Sequence, residues 1–126
     1  MKDISINVSN YRFMVTEAPI MKMVENRQGE MEPVVNKRTG ETPFVVMLFA
    51  KPVAVPGERQ GKGEEIKVNL PRDPGEGFDE GSYVELINPL LNTYEMRGEH
   101  NEITNAGIWF KADALKPAAR AAAAAA

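Results

Sequence analysis

The 126 residues include 15 Lys/Arg, 18 Asp/Glu and one His, giving a net charge of −3, with 43% hydrophobic and 26% charged residues. This length suits one domain that buries about two-thirds of its unfolded surface and needs no metal or disulfide to stay folded. The composition is globular and not disordered, and the lack of cysteine excludes disulfides, thiolate catalysis and cysteine metal sites.

The opening MKDISINVSN has no apolar signal core, and the longest apolar run, residues 44–50, is far shorter than a membrane span. A soluble, cytoplasmic protein with no membrane partner is expected. Charge is unevenly spread. Residues 1–55 carry seven Lys/Arg against six Asp/Glu, residues 56–104 five against eleven, and residues 105–126 three against one. The negative charge sits in the middle, which leaves the two ends free to form a locally basic face.

In chain order, Ile4, Ile6 and Val8 alternate with polar residues as in a half-buried strand. Tyr11, Phe13 and Val15 continue on the other parity, and the phase reverses again from Ala18 to Val24. Each reversal calls for a bulge or sharp bend, since one extra residue swaps the faces. Residues 25–42 are polar, with Gly29, Pro33 and Gly40, and read as a long loop or irregular hairpin end. Residues 44–55 form the second and strongest strand, apolar on both parities as far as Ala50.

A glycine-rich turn over residues 56–64 leads to a third strand, in which Ile66, Val68 and Leu70 alternate with Lys67 and Asn69. Residues 71–82 are too rich in proline and glycine for a helix. A fourth strand runs from Val84 to about Met96, with Pro89 marking a kink or an edge. After a polar loop over 97–105, Ile108, Phe110 and Ala112 define a fifth strand. Pro117 closes a single domain, 1–117. Residues 118–126, AARAAAAAA, have helix propensity but no apolar stripe to dock it, and are set aside as a disordered or non-native tail. The expectation is an all-β protein, a small five-stranded OB-like barrel with long loops, with a β-sandwich or β-roll as alternatives.

No catalytic or metal site emerges, and no cofactor is expected. His100, the only histidine, sits in GEHNEIT without a partner that would make it a base. The stretch from Asp73 has glycine where a calcium loop needs its third and fifth oxygen ligands, and Val84 where it needs the twelfth. Residues 57–63 have the wrong glycine spacing for a phosphate loop and precede a strand, not a helix.

One surface pattern remains. Alternation puts Ile108 and Phe110 inside, so Trp109 and Lys111 point outward together. Phe49 and Lys51 share the outward parity of the second strand with Met47, and Lys67 faces outward on the third. The 25–42 loop adds Arg27, Lys37 and Arg38 where such barrels often clamp a ligand. Rings interleaved with cations suit single-stranded nucleic acid, since bases stack on the rings while the cations follow the phosphates.

The chain also resembles the actinobacterial family of plasmid replication, integration and excision activators. The resemblance lies in 37–47 (KRTGETPFVVM), 65–68 (EIKV), 81–84 (GSYV) and 106–113 (AGIWFKAD), and covers about residues 36–117. It implies a plasmid or integrative-element setting, contact with replication or recombination proteins, and no catalytic residue. Two readings follow. One is a non-catalytic single-stranded DNA-binding protein acting in replication, excision or transfer. The other is a homo-oligomeric interaction or scaffold module with little direct DNA contact, suggested by the two-sided apolar second strand and the acidic middle.

Overall fold

A computed structural model describes residues 2–118. The chain forms β1 (Ile4–Ser5), β2 (Tyr11–Met21), β3 (Met23–Glu25), β4 (Met31–Pro33), β5 (Phe44–Pro52), β6 (Glu64–Leu70), β7 (Tyr83–Ile87), β8 (Leu90–Arg97), β9 (Ile103–Lys111) and β10 (Ala114–Pro117). The protein is all-β, and no helix among the described residues is long and apolar enough to cross a membrane. Beyond Ala118, the alanine-rich tail lies outside the described residues.

Eight strands form one mixed sheet in the order β1-β8-β9-β6-β5-β2-β7-β10, while β3 and β4 pair separately. Within the large sheet only β6–β9 is parallel. As a ladder this is an open sheet of eight strands, not the closed five-stranded barrel expected from the sequence. The physical reason lies in a bend shared by the expected fourth and fifth strands. Asn88 takes a φ of 52° and Pro89 brings no N–H, so the ladder stops between β7 and β8. Opposite them, the Ala112 N–H turns to the Asn69 carbonyl and the Asp113 N–H to the Ile87 carbonyl. Pairing resumes in the same frame on either side, Ile87↔Ala114 before the bend and Leu90↔Lys111 after it. Residues 83–117 are thus one long bent hairpin. Its β7 arm pairs with β2, and its β9 arm pairs with β6.

The phase reversals have physical counterparts. Around residues 6–10 the chain turns, with the Tyr11 N–H donating to the Val8 carbonyl, and this separates β1 from β2. Within β2 the register against β5 slips between Val15 and Glu17 and again between Glu17 and Ile20. The 25–42 segment is partly ordered as the β3–β4 hairpin, whose turn is held by the Asn26 side chain accepting the Gln28 and Glu30 N–H groups, with Gly29 at a φ of 79°.

One sheet face and the covering loops enclose the core: Phe13, Val15, Val46, Leu48, Ala50, Val68, Leu70, Phe78, Val84, Ala112 and Leu115. The inward parities of β2, β5 and β6 supply most of it, as alternation requires. Phe78 is an addition from the 71–82 loop, buried between Gly77 and Asp79, and it pins that acidic segment to the domain.

Candidate nucleic-acid interface

With Val46, Leu48 and Ala50 turned inward, β5 presents Val45, Met47, Phe49 and Lys51 on the opposite side. Register decides what these meet. Lys51 stands opposite Arg12, Phe49 opposite Met14 on one side and Glu65 on the other, and Met47 opposite Lys67. Three positions expected from the sequence, Phe49, Lys51 and Lys67, are therefore neighbours on one surface. Arg12 joins them, although sequence reading passed over it. Its parity, opposite to Tyr11, Phe13 and Val15, marked it as outward, but only the β2–β5 register puts it beside Lys51.

Phe49 is half-buried. Its ring fills the space that a side chain at position 63 would occupy, so Gly63 is the residue that admits it. Met47 and Val45 are also half-buried, so the apolar outer face of β5 is shielded by its neighbours and is not a bare patch. Glu65 is engaged by Thr16, whose hydroxyl donates to its carboxylate at 2.7 Å. Arg12, Lys51 and Lys67 form no ion pair among the described residues.

Trp109 lies on β9, 38% exposed, opposite Asn92 of β8. Trp109 and Lys67 are the residues immediately before the parallel pair Val68↔Phe110, so both face outward at the β6–β9 junction. Ile108 corrects the expected alternation: it was placed inside and is 55% exposed. Beyond residue 93 on β8 and before residue 109 on β9, the hairpin leaves the sheet with no layer over either face, so parity no longer separates buried from exposed. On this arm Tyr94 lies over Gly107, with its hydroxyl oxygen and two ring carbons 2.7–2.8 Å from where a side chain at that position would begin. Tyr94 is an exposed aromatic that sequence reading missed, because residues 97–105 were read as a loop and the partner strand was not foreseen.

Lys111 is not a free cation. Its ammonium pairs with Asp3 at 3.0 Å, and that contact holds the Asp3 carboxyl below the usual carboxylate range. Asp3 itself is fixed by its N–H, which donates to the Asn92 Oδ1 at 2.8 Å, with its backbone at a φ of 51°. Asn92 is buried, and its Nδ2 has no partner among the described residues. Arg27 lies in the β3–β4 turn and Lys37 and Arg38 in the turn capped by Asn36. All three are exposed, and no hydrogen bond or ion pair ties their side chains to the β5–β6 surface.

His100 lies exposed at the tip of the β8–β9 hairpin, and no group of three or more metal-ligating side chains occurs among the described residues. No protein-family model matches the chain, and no curated protein matches it.

Proposed function

We propose that the chain is a non-catalytic single-stranded DNA-binding protein that uses the outer surface of β2, β5 and β6 together with Trp109. The observation that carries this reading is the set of unpaired cations Arg12, Lys51 and Lys67 around the Phe49 ring. Like charges directly opposite on a sheet disfavour each other, and the phosphates of a bound strand would neutralise Arg12 and Lys51 together. Phe49 and Trp109 offer rings for bases, with stacking worth about 1–3 kcal/mol per base.

As part of this proposal we read the pairing of the bent 83–117 hairpin, β7 with β2 and β9 with β6, as an OB-like arrangement of an open sheet. Such folds take oligonucleotides on the outer face of their middle strands. The plasmid or integrative-element setting, with replication or recombination proteins as partners, rests on the family resemblance.

Titration with oligo-dT at low salt, followed by the fluorescence of Trp109, the only tryptophan, tests the proposal. Quenching is expected. With three phosphates neutralised, log K should fall against log salt with a slope of about −2. An unchanged emission with micromolar protein at low salt overturns it.

A further inference from the structure

A fixed carboxylate lies inside the cationic surface. Glu65 stands opposite Phe49 in the β5–β6 ladder. It accepts the hydroxyl of Thr16 on β2 at 2.7 Å, and β5 runs between β2 and β6. Thr16 is the extra residue of the register slip that leaves Val15 opposite Leu48 and Glu17 opposite Met47. The bond therefore crosses the outer face of β5 between Phe49 and Met47. Glu17 is also an acid at this place, but no hydrogen bond or ion pair fixes its side chain among the described residues.

The cations lie on either side of this carboxylate. Lys51, with Arg12 opposite, follows Phe49 on β5, and Lys67 follows Glu65 on β6. Because β5 and β6 are antiparallel, the two positively charged positions fall at opposite ends of the Phe49–Glu65 pair. A strand whose phosphates follow these cations passes over that pair. A carboxylate repels phosphate there, so the position suits a base. A base stacked on the Phe49 ring turns an edge toward Glu65.

Building on the single-stranded DNA reading, we infer that Glu65 reads the base seated at Phe49 and selects guanine. An ionised carboxylate only accepts hydrogen bonds. The Watson–Crick edge of guanine carries two adjacent donors, N1–H and the N2 amino group, which match the two oxygens of one carboxylate. Adenine and cytosine each offer one amino donor beside a ring-nitrogen lone pair. Thymine offers one N–H between two carbonyls. Each of these three sets an acceptor against the carboxylate. In a single strand this edge is free to be read. Thr16 holds Oε2 in place, and Oε1 has no partner among the described residues.

Fluorescence titration with oligo-dT, and with the same oligonucleotide carrying one central dG, deoxyinosine, dA or dC, tests this. The dG form should bind about 10-fold tighter than the dT, dA and dC forms, as a bidentate contact to a base edge does. Deoxyinosine lacks the N2 amino group and should lose most of that gain. Glu65→Gln can still accept the Thr16 hydroxyl, but it exchanges one acceptor for a donor. It should bind all the forms with similar affinity, and oligo-dT at least as tightly as the wild type does. A wild type that binds every form alike, or a Glu65→Gln variant that keeps the dG preference, overturns the guanine assignment and leaves single-stranded DNA binding standing. Failure to bind any form overturns single-stranded DNA binding itself, and the assignment with it.

Discussion

Arg12 and Lys51 stand directly opposite each other across β2 and β5, on the outward side of the sheet, with no carboxylate among the described residues bonded to either. Folding gains nothing from this juxtaposition. Lys51→Glu converts the pair into an opposite-charge one and should raise stability by about 0.5 kcal/mol, while weakening oligo-dT binding. A thermal melt and a fluorescence titration on the same sample check the two signs. A variant that loses both stability and binding would show that Lys51 serves the fold.

Phe49 offers the second separation. Phe49→Ala removes a stacking ring and should lower oligo-dT affinity by about 10-fold or more. It also uncovers Gly63, so some stability is lost as well. Phe49→Trp keeps a π-face and should retain most of the affinity. If Phe49→Ala binds like the wild type, that ring takes no part in binding.

Asp3 gives a pH signature. Its carboxyl titrates below the ordinary aspartate value because Lys111 bonds its charged form. A depressed folded-state pKa means that the contact contributes fully above the unfolded pKa and is lost as pH falls through the folded one. The tie between the N-terminal segment and β9 should therefore hold through the neutral range and release only below the normal carboxylate range. Carboxyl NMR titration of Asp3 reads this directly, and Lys111→Ala should return its pKa upward. An Asp3 that titrates identically with and without Lys111 removes the contact as the cause.

The interior and the outer surface should respond differently to truncation. Leu48 is fully buried and Ile20 is 67% exposed. Leu48→Ala should cost about 2–5 kcal/mol through lost burial and the cavity left behind. Ile20→Ala should stay within about 0.5 kcal/mol of the wild type. Denaturant unfolding of both variants measures the contrast.

Local signals made much of the fold legible. Alternation located β2, β5 and β6 and their inward residues, since one face of each meets the core. The reversals of phase pointed to the turn before Tyr11 and to the register slips after Val15. Pro89 marked the break between β7 and β8. The outer end of the β8–β9 arm was not legible. Ile108 looks like a core residue in sequence, and only the absence of a covering layer leaves it exposed, while Ile103 was read as part of a loop and lies in β9. In the candidate site, Phe49, Lys51 and Lys67 followed from parity alone. Arg12 needed the β2–β5 register, Tyr94 needed its partner strand, and the capture of Lys111 by Asp3 joins residues more than a hundred positions apart.

The bent hairpin of residues 83–117 touches both flanks of the β2–β5–β6 meander, through β2 on one side and β6 on the other. A ribosome delivers those strands after the meander. Residues 1–70 must wait with apolar flanks open until residues 83–117 emerge, so cooperative folding should begin only once this hairpin is available. Nascent chains arrested before position 103 should remain protease-sensitive throughout, and resistance should appear abruptly once β9 and β10 are clear of the exit tunnel.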